Sequence, residues 1–343
     1  MAARKRRVNE LGLSKKDYAG VPSTLCRGCG HHAIVNQIIA ACYEEDIPPE
    51  KLVKFSGIGC SSKAPTYFLD RSFGFNGLHG RMPSLATGAL VADMSLIGIG
   101  MSGVGDTASM GMAQFKHIMR RNVPLVYVVA NNGVYGLTKG QFSATAERGL
   151  ALKRQGQNMY MPIDIVWEAL VGRASFVARG FSGDPKQLKT IFKAALHHHG
   201  TAVVDVISPC VTFNNQDDSH HSYAWGKMHE VALHELSFVP PAKDIRVDYE
   251  EGQKTEVELH DGSQIILKKL EKNYVPNDRG AALQLLEDAN KNNELVTGLI
   301  YINPDQKSIF DIEYMPPAPL NRVPDDELRP SRESLDKVNA MMF

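Results

Sequence analysis

Short apolar runs, separated by segments with helical spacing, are the feature that most constrains how this chain can fold. They lie at residues 52–57, 96–101, 125–130 and 202–207. Mostly apolar runs of this length are typical of strands in a parallel sheet whose two faces are both covered. We therefore predict an α/β fold in which a mostly parallel sheet carries helices on both faces. A small C-terminal β-hairpin and helix are expected to extend it.

Residues able to carry chemistry come directly after three of these runs. Cys60, Asp106 and Asn132 each lie just beyond the end of a predicted strand. Functional groups in open α/β sheets gather at the carboxyl ends of the strands. We therefore expect these three side chains to lie near one another at one edge of the sheet.

Three segments are predicted to organise the chain: an arm at 1–21, the α/β domain at 22–240 and the extension at 241–343. In the extension, Asp261-Gly262 signals a hairpin turn, and the prolines between 315 and 330 indicate an extended arm laid on a partner or on the protein itself. The remaining predicted elements are helices at 33–44, 84–94, 107–121, 163–171, 185–197 and 280–291, strands at 175–178 and 296–302, and loops at 64–80 and 142–161.

Composition excludes several classes of function. The 343 residues carry 38 basic and 38 acidic side chains, so no global field recruits nucleic acid or a membrane. The one basic run, Arg4 to Arg7, is best explained as a solvated terminus. No apolar run reaches the roughly 18 residues of a membrane span, and residues 1–20 lack the apolar core of a signal peptide. A cytoplasmic location is expected.

The stretch from 102 to 141 combines a glycine turn with an acid, a helical segment, a strand and a pair of asparagines. Gly103, Gly105 and Gly136 would allow backbone N–H groups to approach a diphosphate. Asp106 and Asn132 offer the oxygen ligands that Mg²⁺ prefers. The alternative for G-x-G-D alone is a nucleotide-type turn or a tight connection with an N-cap Asp. Asp106 lies 26 positions before Asn132, and this spacing from the asparagine pair favours the diphosphate site.

Four of the five cysteines form a candidate metal-ligand set. Cys42 lies on the apolar stripe of a predicted helix and is expected in the core. The others are a C-x-x-C pair, Cys26 and Cys29, and two residues that each come after a strand, Cys60 and Cys210. Four thiolates suit zinc or a [4Fe–4S] cluster, and spacing alone does not choose between them. The dispersed positions favour the cluster.

Two lysines and one histidine adjoin these motifs. Lys63 and Lys139 come after the segments I-G-C-S-S and G-L-T, and two ammonium groups beside a cofactor could hold a carboxylate substrate. Solvated loop lysines would fit the same positions equally well. His79 lies in a glycine loop that could face a phosphate.

Taken together, the motifs resemble those of the beta subunit of 2-oxoacid:ferredoxin oxidoreductases. The matching segments are L-C-R-G-C-G-H-H, I-G-C-S-S, G-L-H-G-R, G-x-G-D-T-A-S-M-G, N-N-G-V-Y-G-L-T-K-G-Q-F-S and S-P-C-V-T-F-N-N, which cover 22–225 densely. The resemblance implies a thiamine diphosphate-binding fold and a [4Fe–4S] cluster on Cys26, Cys29, Cys60 and Cys210. It implies coenzyme A-dependent oxidative decarboxylation of a 2-oxoacid to an acyl-CoA and CO₂, with ferredoxin as electron acceptor and possible reversal.

The same resemblance assigns roles to individual residues. Lys63 and Lys139 are similar to residues that receive the 2-oxoacid, and two lysines favour 2-oxoglutarate over pyruvate. An alpha subunit is an implied partner, as a heterodimer or α2β2, because in the family it supplies the carboxylate near the aminopyrimidine. The implied cofactor contacts are Ile58, Gly59, Cys60, Ser61, His79, Gly105, Asp106, Gly136 and Leu137, and the implied Mg²⁺ ligands are Asp106, Asn132 and the carbonyl of Val134.

Val104 departs from the family pattern. The family has a metal-binding aspartate 28 positions before the second asparagine, and here that position is Val104. Valine offers no oxygen, so loss of this ligand is expected to weaken a divalent site. One rival hypothesis is therefore a cluster-bearing subunit with impaired thiamine diphosphate and Mg²⁺ binding. Another is a zinc-stabilised decarboxylase of related fold.

Overall fold

The computed structural model describes residues 8–152, 155–208, 210, 247–258, 264–271, 274–292, 294–316 and 318–342. Its strands are β1 Leu52–Ser56, β2 Phe73–Asn76, β3 Ile97–Gly103, β4 Leu125–Asn131, β5 Val134–Tyr135, β6 Gln141–Phe142, β7 Ala151–Leu152, β8 Gly156–Gln157, β9 Phe176–Phe181, β10 Thr201–Ile207, β11 Lys254–Glu258, β12 Gln264–Lys269 and β13 Glu294–Ile302. Its α-helices are α1 His31–Glu44, α2 Met82–Ala92, α3 Met112–Arg121, α4 Ile165–Val171, α5 Pro185–Leu196, α6 Arg279–Lys291, α7 Ile309–Ile312, α8 Asp325–Leu328 and α9 Arg332–Met342.

One sheet of nine strands forms the centre, in the order β11-β12-β13-β9-β10-β4-β3-β1-β2. The six strands from β9 to β2 are all parallel to one another. The predicted α/β class is confirmed. Because these six strands run the same way, the loops after β1, β3, β4 and β10 leave from one carboxyl edge.

Side chains that alternate along the central strands pack into two apolar cores, one on each face of the sheet. On β4, Val126 and Val128 join the core that includes α1 and α5. Tyr127 and Val129 join the core that includes α2, α3, α4 and α6. Both faces are therefore buried, which explains why the central strands consist mostly of apolar residues.

The C-terminal hairpin and helix continue the same sheet. Strand β13 pairs antiparallel with β9, and β12 pairs parallel with β13. Side chains of β13 and α6, such as Ile300 and Leu286, belong to the core beneath α2 and α3. The predicted boundary at residue 240 and the Asp261-Gly262 turn lie outside the described residues, and the boundary stays a prediction.

Several short elements escaped the sequence patterns. The predicted loop at 64–80 contains the edge strand β2, and the loop at 142–161 contains β6 and the hairpin β7–β8. The helix predicted at 107–121 is a π-helical turn, Gly105–Met110, succeeded by α3. A Cβ at Gly111 would stand 2.5 Å from the carbonyl oxygen of Asp106. Elements of two to four residues carry too little periodicity to be recognised.

The predicted N-terminal arm and the proline-rich arm differ in burial. Tyr18 is fully buried, and Ala19 forms a bridge with Phe68, so the described part of the N-terminal arm packs on the core. In the C-terminal arm α8 and α9 are exposed. In the part of the chain that the structure describes, no helix is both long and apolar enough to cross a membrane.

A half-buried histidine makes stability depend on pH. The Nε2 of His198 lies 2.7 Å from the hydroxyl of Ser175, which itself donates to Asn122. Burial, aided by the charge of His199, lowers the pKa of His198 to about 4 from 6.5. Between these pH values the unfolded chain binds more protons than the folded one, so stability falls as pH drops from 6.5 toward 4.

We expect His198→Gln, which keeps an N–H donor, to reduce the dependence of unfolding free energy on pH in that window. Urea unfolding at pH 7, 6 and 5 measures it. His117→Gln, at an exposed histidine, serves as the control and should leave the dependence unchanged. An unaltered pH dependence in His198→Gln would refute the assignment.

Candidate functional site

Asp106 lies at the centre of the carboxyl edge and is 2% exposed. Its Oδ1 accepts hydrogen bonds from the backbone N–H groups of Ile58, at 3.1 Å, and Gly80, at 2.8 Å. Its Oδ2 accepts one from the hydroxyl of Ser102, at 2.6 Å. The carboxylate therefore joins the loop after β1, the loop before α2 and the turn after β3.

A chain of buried hydroxyl groups supports this carboxylate from below. The hydroxyl of Thr107 donates to Ser102 at 3.0 Å, and Ser102 donates onward to Asp106. The hydroxyl of Tyr127 lies 3.0 Å from that of Thr107, whose proton is already used, so Tyr127 is the donor. Burial raises the pKa of Tyr127, which keeps it protonated. On the outer side, Nδ1 of His79 lies 2.6 Å from Oδ1 of Asp106.

The glycines of the motifs are required mainly by packing within the chain. A Cβ at Gly57 would stand 2.0 Å from Oδ2 of Asp106, and one at Gly105 would stand 2.2 Å from the ring of Tyr135. Gly59 differs. It has φ +130°, and the nearest atom to an added Cβ would be the hydroxyl oxygen of Ser61, 3.9 Å away. Of these three glycines, Gly59 leaves open space beside the backbone.

The asparagine turn after β4 is tied to the glycine turn after β3. The hydroxyl of Tyr135 donates to the carbonyl of Gly105 at 3.2 Å. The amide oxygen of Asn132 accepts from the N–H of Val134 at 3.2 Å, within its own turn. The described hydrogen bonds of Asp106 and of Asn132 thus fall into separate sets, although the two turns adjoin.

A buried charge network beneath the asparagine turn was missed by the sequence patterns. The guanidinium of Arg179 bonds Asp164 and Asp205, the latter at 3.1 Å. Asp205 in turn accepts from Asn131 at 3.1 Å, and Asn131 accepts from Thr145. Burial raises the pKa of Asp205 to about 6 against the opposing effect of Arg179. Single charged residues inside apolar strands gave no spacing signal.

Val104 lies in the apolar core, not among oxygen ligands. It is 1% exposed and belongs to the core beneath α2 and α3. A packed side chain therefore stands where the family pattern predicts an oxygen ligand.

We expect Val104→Asp to lower stability by roughly 3–5 kcal/mol in Mg²⁺-free buffer, because an unpaired charge becomes buried. If position 104 is the metal-ligand position, Mg²⁺ with thiamine diphosphate should restore part of that loss. Thermal unfolding with and without Mg²⁺ measures both effects, with Val104→Thr as an uncharged control of similar shape. Unchanged Mg²⁺ affinity in Val104→Asp would show that the ligand assignment is wrong.

The four cysteine thiols of the candidate set share one region. A Cβ at Gly136 would stand 3.3 Å from Sγ of Cys60 and 3.8 Å from Sγ of Cys210. Burial raises the pKa of Cys60 to about 11, with further contributions from Cys210, Cys29 and Cys26. Among the described residues, no three His, Cys, Asp or Glu side chains converge closely enough to hold a metal. Cys42 is fully buried in the core, as predicted.

Exposed side chains surround this buried centre. Lys63 and Lys139 are both exposed, and Lys139 has a left-handed backbone with φ +72°. Ile58 is 40% and Leu137 45% exposed. Ser61 is buried, with its hydroxyl 2.6 Å from where a Cβ of Gly103 would stand. The structure thus provides a polar, buried centre with a partly apolar, cationic rim.

The fold and this edge match a known class of domain. Residues 57–206 match the family described as thiamine pyrophosphate enzyme, C-terminal TPP binding domain. The match runs from the loop after β1 nearly to the end of β10. The carboxyl-edge loops therefore correspond to those of a thiamine pyrophosphate-binding domain.

Relatives define the family more narrowly. The chain is 41% identical over 191 residues to a 2-oxoacid:ferredoxin oxidoreductase subunit beta of Saccharolobus solfataricus, covering 55% of this chain and 63% of that one. It is 34% identical to the 2-oxoglutarate synthase subunit KorB of Methanocaldococcus jannaschii, covering 56% of this chain and 71% of that one. The chain belongs to the beta-subunit family of the 2-oxoacid:ferredoxin oxidoreductases.

A solved structure extends the similarity over the whole fold. It is the 2-oxoglutarate:ferredoxin oxidoreductase from Magnetococcus marinus with 2-oxoglutarate, coenzyme A and succinyl-CoA bound. The TM-score is 0.72 at 28% identity, with 97% of each chain covered. The C-terminal strands and helices therefore have counterparts in that protein.

Proposed function

We propose that this chain is the beta subunit of a 2-oxoacid:ferredoxin oxidoreductase that converts a 2-oxoacid and coenzyme A to an acyl-CoA and CO₂. The observation that carries the proposal is that the Asp106-centred loops leave from the same carboxyl edge as the segments that carry Cys60 and Cys210, whose sulfur atoms both lie beside Gly136. Membership of the family supports the proposal independently. Ferredoxin would accept the electrons, the reaction would be reversible, and the location would be cytoplasmic.

Thiamine diphosphate is the proposed cofactor, and the residues present fit it. Open space beside Gly59 and the exposed side chains of Ile58 and Leu137 leave room at the edge. When bound, the cofactor supplies an electron sink for cleavage of the bond to the carboxylate. The proposed contacts are Ile58, Gly59, Cys60, Ser61, His79, Gly105, Asp106, Gly136 and Leu137.

A [4Fe–4S] cluster on Cys26, Cys29, Cys60 and Cys210 is proposed as the first electron acceptor, since clusters transfer one electron at a time. Among the buried side chains whose polar atoms have no hydrogen-bond partner within the described residues are His31, Ser62 and Ser208. Each stands two positions from one of these cysteines. The raised pKa of Cys60 disfavours a bare thiolate, so metal would take the place of the proton.

Gly136→Ala tests the thiol site. The added Cβ would press on the sulfur of Cys60, so we expect iron bound per chain to fall at least twofold after reconstitution. Iron and sulfide analysis with absorbance near about 400 nm measures it. Gly88→Ala, where a Cβ meets nothing within 4 Å, is the control. A zinc-loaded, colourless protein would instead support the zinc hypothesis.

Mg²⁺ fits this edge less well than the family pattern implies. The proposed ligands are Asp106, Asn132 and the carbonyl of Val134. Both oxygens of Asp106 already accept hydrogen bonds, and Val104 supplies no oxygen. A metal at Asp106 would have to bind the remaining lone pair of Oδ2 or displace a donor.

Lys63 and Lys139 are proposed to hold the substrate carboxylates, which favours 2-oxoglutarate over pyruvate. Both are exposed at the rim, so substrate would enter between this chain and an alpha subunit that supplies the missing carboxylate. An αβ heterodimer or α2β2 assembly is proposed on this basis.

The test is to co-express the chain with its alpha partner and to assay both 2-oxoacids with coenzyme A and ferredoxin. We expect 2-oxoglutarate turnover, with kcat/KM lowered at least tenfold in Lys139→Met and in Lys63→Met. Lys186→Met is the control, because Lys186 is an exposed lysine that is not among the proposed site residues. Absence of activity on both acids in a cofactor-loaded complex would refute the proposal.

A second candidate function is suggested by the buried Val104. The chain would then carry the cluster for assembly or electron transfer without supporting catalysis. Titration of the purified complex with thiamine diphosphate and Mg²⁺ separates the two. Saturable binding supports the catalytic subunit, whereas an iron-loaded complex that binds no thiamine diphosphate supports the alternative.

A further inference from the structure

An open cavity of about 570 Å³ lies at the amino-terminal edge of the sheet, away from the cysteines. The last turns of α3 and α4, the start of α6 and the end of β13 line it. Strand β4 runs seven residues from this edge to the asparagine turn, which corresponds to roughly 20 Å. The cavity is thus separate from the site proposed for thiamine diphosphate.

Cationic side chains dominate the cavity. Lys116, Arg120, Arg173 and Arg279 line it. Lys116 is neutralised by Glu168, with 2.5 Å between Nζ and Oε2. Within the described ranges, none of the three arginines forms an ion pair with a carboxylate. The cavity therefore carries an excess of positive charge that the described part of the chain does not balance.

Arg279 is the informative member of this set. Its Nη2 donates to the hydroxyl of Tyr301 at 3.1 Å, and its guanidinium carbon lies 4.7 Å from the centre of that ring. Its Nε is buried and has no partner among the described residues. A buried donor without an acceptor is destabilising, so an acceptor from a bound ligand would be favoured at this atom.

Helix ends explain some of the charge, but not all of it. Arg120 lies in the last turn of α3, and Arg173 directly follows the C-cap residue of α4; the helix dipole favours cations near such ends. Arg279 is instead the first residue of α6, where the dipole disfavours a cation. Its position therefore has a cost that an anionic ligand would offset.

We infer that this cavity binds a nucleotide, with its phosphates on Arg173 and Arg279. Guanidinium groups favour phosphate because their paired donors match its oxygens. Val171, which is 55% exposed, adds apolar surface for a base, and Asn303 adds an amide. The volume lies within the range of small-molecule sites. The inference does not depend on the chemistry proposed at the other edge.

Isothermal titration of ADP, pyrophosphate and adenosine into the complex with its alpha partner, in phosphate-free buffer, tests the inference. We expect ADP to bind with a Kd weakened at least tenfold by Arg173→Gln and by Arg279→Gln. Arg332→Gln, at an exposed arginine, should bind as the unaltered protein does. Pyrophosphate binding as tightly as ADP would mean that the base is not recognised and would overturn the nucleotide assignment.

Competition distinguishes the two edges. Saturating thiamine diphosphate should leave ADP binding unchanged, and ADP should bind even if the complex proves catalytically inactive. Displacement of ADP by thiamine diphosphate would place it at the cofactor edge. That result, or no saturable ADP binding, or binding that the two arginine variants do not alter, overturns the inference.

Discussion

Replacing Asp106 with alanine is expected to lower the free energy of unfolding by roughly 3–5 kcal/mol. The variant leaves the N–H groups of Ile58 and Gly80 and the hydroxyl of Ser102 buried without an acceptor, at roughly 1–3 kcal/mol each before water enters. Thiamine diphosphate affinity should fall as well, because three loops lose their common anchor. Urea unfolding and cofactor titration measure the two effects.

Asp106→Asn keeps the shape of the side chain and removes its negative charge, so it separates the two contributions to stability. It keeps one carbonyl oxygen for the two backbone donors, so its cost should be smaller, roughly 1–2 kcal/mol. Asp305→Ala, at an exposed aspartate, should stay within about 0.5 kcal/mol of the unaltered protein. If Asp106→Ala were no less stable than Asp305→Ala, Asp106 would not be the anchor of the edge.

Arg179→Met is expected to have an effect of similar size, roughly 3–5 kcal/mol, because it leaves Asp205 buried without its cation. The loss should shrink as pH falls toward 5, because the pKa of Asp205 is already raised to about 6 and rises further without Arg179. A protonated Asp205 carries no uncompensated charge. Urea unfolding between pH 8 and 5 tracks this trend.

A double-mutant cycle supplies the internal check. Arg179→Met combined with Asp205→Asn should be more stable than the sum of the single losses implies, by roughly 0.5–3 kcal/mol. The control is Arg329→Met, which removes an ion pair whose side chains are 76% and 77% exposed, and should cost less than about 1 kcal/mol. Additive losses would show that Arg179 does not act by compensating Asp205.

The fold class, and the placing of Cys60, Asp106 and Asn132 after parallel strands, were predictable from sequence because both depend on apolar runs and on the residues directly after each run. The motif singled out Asp106, but it does not show that Ile58, Gly80 and Ser102 donate to one carboxylate. The network around Arg179 was missed because its members come from separate strands and loops. Spacing along the chain cannot show such pairing across a sheet.

The pairing of β13 with β9 has a consequence for shortened forms of the protein. Without β13, β9 would become the border of the sheet, with a row of backbone N–H and C=O groups open to other chains. Val177 and Phe181 are fully buried and would become accessible beside that border. A fragment that keeps every residue of the proposed catalytic edge would therefore be prone to self-association, and solubility would fail before chemistry could be measured.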